Sequence, residues 1–242
     1  MQIVPSLFLV DGMEQGIVNA YVWERADGGL TLIDTGMPGD SSKILTFVRG
    51  LGIERLDRII LTHGDIDHTG GCPEIQRATG ARIISHAVEK DIVEGRQPRP
   101  MPKGIVSKLY APVMGLAGKT FLHFQPVGHV DELVLDKQML TEGFQVVHVP
   151  GHAPGQIALF EPQRGILIAA DAMSNRSNKL GLPSAFATPR MDIAIDSIRK
   201  LASLKGIQVI CFGHGLPITE NAAKRLQDFA AGLPGSQSTA KS

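Results

Sequence analysis

Four times along the chain a short apolar run of strand character stops at a histidine or an aspartate. Residues 57–61 (DRIIL) run into Thr62 and the cluster His63-Gly64-Asp65-Ile66-Asp67-His68. Residues 144–149 run into Pro150-Gly151-His152-Ala153-Pro154-Gly155. The run Ile166-Leu167-Ile168-Ala169-Ala170 stops at Asp171, and residues 207–212 stop at Gly213-His214-Gly215. Short apolar runs bounded by turn residues read as buried strands. In open α/β architectures, sites gather outside the carboxyl ends of strands. A fold that brings these four strand ends to one edge collects four His and three Asp there.

The remaining pattern is that of an α/β chain. Strand-like runs at 7–10, 17–23 and 30–33 come first, the last two joined by the turn Ala26-Asp27-Gly28-Gly29. Helical spacing follows Asp40-Ser41-Ser42, with Ile44, Leu45, Phe47, Val48 and Leu51 apolar. Residues 73–78 read as a short helix, 82–85 as a strand and 87–94 as helix. The second half starts with strands at 132–135, 144–149, 156–160 and 165–170. An amphipathic helix at 191–204, a strand at 207–212 and a closing helix at 219–231 complete it. Two α/β halves in one layered domain over residues 1–231 follow from this order, with a polar, flexible tail at 232–242.

Between the halves, residues 95–130 contain no Asp or Glu but hold Arg96, Arg99, Lys103, Lys108, Lys119 and five prolines. This stretch reads as an inserted, basic, lid-like segment. It suits an anionic or amphiphilic small-molecule substrate, with Arg96, Arg99 or Lys103 meeting the anion. A solvated basic face or a subunit contact, as in a homodimer, is the competing reading. Arg176 is a further candidate anion clamp, and Met173, Ser174 and Asn175 are expected beside it in the pocket.

The chain has 242 residues with 24 Lys plus Arg against 24 Asp plus Glu. That balance argues against a nucleic-acid protein held by a basic field. Two cysteines, Cys72 and Cys211, make no disulfide framework and fit a reducing, cytoplasmic setting. The first residues carry no Lys or Arg before an apolar run that Pro5 and Asp11 interrupt, so they do not read as a signal peptide. No stretch approaches the roughly 20 apolar residues needed for a membrane span.

The first cluster carries the densest chemistry. In extended chain, residues two apart point the same way, so His63 and Asp65 can grip one ion. Asp67 and His68 come next, near a helix start, and can address a second. Taken alone, His152 is a turn histidine, Asp171 is a helix cap, and the cluster is a solvated loop. Glycines on both sides of His214 permit close backbone approach.

Taken in order, the His63–His68 cluster, the Pro150-Gly151-His152 turn, Asp171 behind an apolar strand, and Gly213-His214 before the last helix resemble the metallo-β-lactamase superfamily of metal-dependent hydrolases. That family's pattern is HxHxDH, a GH turn, an Asp after an apolar strand, and a final GH. Order and spacing match from Leu7 to about Ala231. The resemblance implies a four-layer αββα sandwich with the metals at one sheet edge. It implies that His63, Asp65 and His152 hold one metal, that Asp67, His68 and His214 hold another, and that Asp171 bridges them. Asp34, in Asp34-Thr35-Gly36, matches a residue that supports the ligands from behind.

The departure is Asp65, where the family usually has His, so the motif here is HxDxDH. A carboxylate there gives the ligand set three negative charges instead of two, or contacts the ion through water. Oxygen shifts preference toward manganese or iron, with zinc still first among two divalent ions. The implied activity is hydrolysis of a carboxylic ester, lactone or thioester by hydroxide formed between the ions, with Asp67 orienting the nucleophile or carrying its proton. Asp171 at the bridging position, in place of Cys, favours a binuclear hydrolase over a β-lactamase that uses cysteine there. A phosphodiesterase and a mononuclear iron oxidoreductase of the sulfur-dioxygenase kind are the alternatives. Among the other histidines, His148 reads as a packed residue, His86 as a pocket-lining candidate, and His123 and His129 as surface or lid residues. Cys211 reads as core. Cys72, near a helix start, is either a small buried residue or a thiol of lowered pKa.

Overall fold

The computed structural model describes residues 1–10, 13, 18–52, 55–102 and 126–235. Lys103, Lys108, Lys119, His123 and most of the basic segment lie outside the described residues, as does the end of the expected tail. The strands in chain order are β1 (Gln2–Val4), β2 (Leu7–Leu9), β3 (Tyr21–Glu24), β4 (Leu30–Ile33), β5 (Leu56–Leu61), β6 (Arg82–His86) and β7 (Glu132–Val134). They form one sheet in that order. Pairing is antiparallel from β1 to β4 and parallel from β4 to β7. A second sheet has the order β13-β10-β9-β8, built from β8 (Gln145–His148), β9 (Ile157–Glu161), β10 (Ile166–Ile168) and β13 (Val209–Cys211). A small hairpin of β11 (Ser174–Arg176) and β12 (Lys179–Gly181) stands apart from both.

Period-two alternation decides which side chains meet. In β5, Ile59 and Leu61 face the helices α1 (Ser41–Gly50) and α3 (Cys72–Thr79), while Ile60 faces the second sheet. In β10, Ile166 and Ile168 face the first sheet, while Leu167 packs toward α5 (Met191–Ala202) and α6 (Ala222–Ala231). Three buried clusters result. One lies under α1 and α3, one between the sheets, and one under α5 and α6. That is the αββα sandwich, with its layers read directly from where the apolar side chains go. Local signals close the helices: Gly80, at φ 71°, ends α3 in the left-handed region, and its N–H bonds Gln76 O. Among the described residues no helix is long and apolar enough to cross a membrane.

Three differences from the sequence reading have local causes. The helix expected at 87–94 shrinks to α4 (Lys90–Val93), because residues 87–89 turn to aim the Glu89 carboxylate inward. The first strand begins at Gln2, since Ser6 takes φ 66° and lets Val4 pair with Leu7 across a tight turn. The β11–β12 hairpin turns on Ser177 and Asn178 at φ 50° and 60°, a left-handed pair that the composition alone did not flag.

The space between the sheets also contains charge. Glu142 Oε1 accepts from Thr31 Oγ1 at 3.0 Å and from Arg58 Nε at 2.5 Å, and its side chain is fully buried. Trp23, the one tryptophan, donates from Nε1 to Glu142 O at 3.1 Å and packs on Phe144 at 4.8 Å. Removing one partner of a buried pair strands the other charge, at a cost of about 3–5 kcal/mol. Arg58 Nη1 also has Glu132 at 3.2 Å, so urea denaturation of Glu142→Ala is expected to show a loss at or below the lower end of that range, and Arg58→Met in the same chain is expected to recover part of it. A loss under about 1 kcal/mol would show that Glu132 or solvent suffices for Arg58.

Candidate metal centre

The four strand ends converge. His63 follows β5, and Asp65 precedes the single turn α2 (Ile66–Thr69), which carries Asp67 and His68. His152 lies in the loop after β8, Asp171 in the 3₁₀ turn after β10, and His214 in the loop after β13. Ligand atoms of His63, Asp65 and His152 lie within 4.8 Å of one another. The same holds for Asp67, His68 and His214, and for His63, His68 and Asp171. Asp171 reaches both sides: Oδ2 is 3.6 Å from His152 Nε2 and 3.0 Å from His214 Nε2, and Oδ1 is 3.4 Å from His68 Nε2. All seven residues singled out in the sequence therefore share one cluster, with His63, His68, His152 and Asp171 buried and Asp65, Asp67 and His214 partly so.

Glycine makes the convergence possible at two points. A Cβ at Gly213 would collide with Asp171 Oδ1 and His68 Cε1, and one at Gly151 would collide with the backbone of Ala194 at the start of α5. Gly213 needs the missing side chain for space alone, and Gly151, at φ 128°, needs it for space and for its backbone conformation.

Three of the four rings, those of His63, His68 and His152, are aimed from behind. Asp34, itself at φ 60°, accepts Thr62 N–H and Thr62 Oγ1–H, both at 2.8 Å, and His68 Nδ1–H at 2.7 Å. With its hydroxyl proton given to Asp34, Thr62 Oγ1 is left to accept His63 Nδ1–H at 3.0 Å. His152 Nδ1 lies 3.1 Å from Thr188 Oγ1. Bonds of this kind fix the tautomer and point Nε2 into the cluster. There, among the described residues, His63 Nε2, His68 Nε2 and Asp171 Oδ1 are buried without a well-formed hydrogen bond. Buried polar atoms are rarely left so, and imidazole nitrogens grouped with carboxylate oxygens form a donor set suited to zinc, iron or manganese. The residues fit divalent metal.

Charge compensates charge across the cluster. Burial alone would raise the Asp171 carboxyl, but His68 and His214 outweigh it and hold the group well below the usual carboxylate range. Burial likewise opposes ionisation of Asp65, and His152, His63 and Arg99 overcome it. Asp67 is lowered in the same way, against its burial, by His68 and His214. The carboxylates in turn raise the imidazoles: His68 goes well up against its burial through Asp34, Asp171 and Asp67, and His214 goes up to about 10 through Asp171 and Asp67.

Sequence reasoning placed Asp34 behind the ligands, where it stands, and missed the other supports. The buried Glu89 carboxylate accepts Gly64 N–H at 2.9 Å and Gly155 N–H at 2.7 Å, tying the loop of His63 to the loop of His152. Asn19 Nδ2 donates to Phe212 O at 2.9 Å and to Gly215 O at 2.7 Å, and Tyr21 Oη donates to Phe212 O at 2.7 Å, so β3 and its approach hold the His214 loop. Among these missed supports, Thr62 alone carried a positional hint, being adjacent to His63.

Other expectations resolve plainly. Arg96 pairs with Asp91 and Glu94 on the surface, away from the cluster. Arg99 turns onto Asp65 instead of an open pocket. Arg176 is exposed and Met173 buried. His86 stacks on His148 with ring centroids 4.4 Å apart, and His129 sits exposed beside Glu94. Burial pushes the Cys72 thiol up to about 12, which removes the reading of a lowered pKa, and Cys211 lies in the core between the sheets.

Two variants test these supports. Asp34→Ala is expected to weaken zinc binding about 10–100-fold, the usual effect of removing a group that orients a ligand, as read by competition with a chromophoric chelator. Glu89→Ala strands the buried Gly155 N–H, at about 1–3 kcal/mol, and frees the part-buried Gly64 N–H, and calorimetry of the metal-free protein is expected to show a loss of at least the first.

The comparisons agree with this geometry. Residues 13–214 match the family model described as the metallo-beta-lactamase superfamily. A probable metallo-hydrolase of Bacillus subtilis (strain 168), YflN, is 30% identical over 232 residues, covering 87% of this chain and 85% of that protein. A hydroxyacylglutathione hydrolase of Albidiferax ferrireducens is 30% identical over 160 residues, 66% of this chain and 46% of that protein, so the match spans less than half of the relative. Among solved structures, TTHA1623 in a di-iron-bound form is similar at a TM-score of 0.65 and 25% identity, covering 88% of this chain and 94% of that one. With the family match spanning most of the chain and the four ligand-bearing loops converging as they do, this protein belongs to the metallo-beta-lactamase superfamily.

Proposed function

We propose that the chain is a binuclear metal-dependent hydrolase of a carboxylic ester, lactone or thioester. The observation that carries the reading is the set of buried atoms without a well-formed hydrogen bond, His63 Nε2, His68 Nε2 and Asp171 Oδ1, at the meeting of two complete ligand triads. His63, Asp65 and His152 would hold one ion, Asp67, His68 and His214 the other, and Asp171 both. Zinc is the first candidate. Iron gains support from the structural relative solved with two irons. Bound divalent ions supply Lewis acidity, which lowers the pKa of water and polarises a carbonyl.

The chain's own residues do the rest. Asp67 keeps 25% of its side-chain exposure, against 8% for Asp171, so it is the carboxylate better placed to meet an incoming molecule. From that position it can orient a water or accept its proton. Asp34 and Thr62 prevent rotation of His63 and His68, and Thr188 does the same for His152. The curated hydroxyacylglutathione hydrolase points to thioesters as the first substrates to try. Two buried cysteines left as thiols accord with a cytoplasmic setting.

Elemental analysis of protein purified without chelator or affinity tag is expected to give about two ions per chain, and a panel of thioesters, lactones, carboxylic esters and phosphodiesters should then show turnover among the first three. One iron per chain, or turnover of phosphodiesters alone, would overturn the proposal. Asp67→Asn, checked for retained metal, is expected to lower kcat by about 10²–10⁴-fold with a much smaller change in KM.

A further inference from the structure

We infer that Arg99 is the counter-charge of Asp65, and that the two side chains together replace, in charge, the neutral imidazole of the usual HxHxDH motif. The inference rests on the binuclear reading above. It concerns a residue that the motif itself does not contain.

The Asp65 carboxylate is divided between two tasks. Its Oδ2 faces the cluster, 3.0 Å from His152 Nε2 and 3.6 Å from His63 Nε2. Its Oδ1 faces away and accepts from Arg99 Nε. The guanidinium is held by more than that bond. Arg99 Nη2 donates to His152 O at 3.0 Å and to Ala187 O at 2.7 Å, and Nη1 donates to Pro100 O at 2.9 Å. Only 15% of its side chain is exposed. A guanidinium held by three carbonyls and a carboxylate is a fixed positive charge, and its planar fork suits this role better than a lysine would.

The charges then balance. Asp65, Asp67 and Asp171 less one guanidinium leave a net −2, equal to two carboxylates with a neutral imidazole at position 65. The same geometry carries a liability. Arg99 Nη2 also lies 3.2 Å from His152 Nε2, close enough that an unpaired guanidinium there would repel an ion held by His152. Restoring the common histidine at position 65 without removing Arg99 therefore harms the site.

The test uses full-length protein, zinc alone as the probe, and affinity by competition with a chromophoric chelator. Asp65→His is expected to weaken the more loosely held zinc by tenfold or more. Asp65→His with Arg99→Gln is expected to return within about threefold of the parent protein. Asp65→Asn, which keeps the shape and removes the charge, gives a second series if Asp65→His fails to fold, and Arg99→Gln is expected to improve it in the same direction. If Arg99→Gln leaves either Asp65 variant as weak as before while the parent protein binds two zinc ions, the inference is wrong and the hydrolase reading stands. If the parent binds one ion and gains a second on Arg99→Gln alone, Arg99 occupies an ion's place and the inference is wrong. If the parent binds none, the hydrolase reading fails and takes the inference with it.

Discussion

The buried carboxylate of Asp34 is the interaction on which the site depends. It stands at the end of β4, in a left-handed backbone conformation, and accepts Thr62 N–H, Thr62 Oγ1–H and His68 Nδ1–H. Those bonds join the end of β4, the end of β5 and the turn that carries His68. Thr35 adds to the joint, since its N–H and hydroxyl both donate to His68 O at 2.8 Å. The parallel pairing of β4 with β5 puts the two strand ends side by side. The carboxylate turns that adjacency into a fixed orientation of two imidazoles.

The rest of the centre depends on the two sheets being docked. His63, Asp65, Asp67 and His68 come from the first half of the chain, and His152, Asp171 and His214 from the second. Their loops are stitched across that divide by Glu89 to Gly155, by Asn19 to Gly215 and by Tyr21 to Phe212. An apolar layer from both sheets lies behind these bonds. Burial draws the halves together without direction, while the hydrogen bonds set the register to within the tolerance that ligand geometry demands.

Much of this was legible in the sequence, because ligand types placed after strands are a local signal with a global meaning. The four clusters, the strand at 30–33 and the helix beginning near Ser41 needed only spacing and caps to be read. What escaped was long-range and carried by ordinary residues. Glu89 lay in what looked like helix, and its role exists only because Gly64 and Gly155 come within reach of one carboxylate. Thr188 sits 36 positions from His152 in the chain, with no pattern linking them. Arg99 was visible as a charge, and its partner was not. A basic segment predicts attraction to something negative, and the sequence offered an external anion as readily as an internal one.

The position of Trp23 has a practical consequence of its own. The chain has one indole, and it lies between the sheets against Phe144, with the Arg164 guanidinium 4.3 Å over its ring. Its fluorescence therefore reports the parting of the two layers and little else. A chelator that slackens only the ligand loops leaves that emission in place, whereas separation of the layers wets the indole and shifts it to the red. The protein thus carries an intrinsic optical gauge that distinguishes loss of the centre from loss of the sandwich.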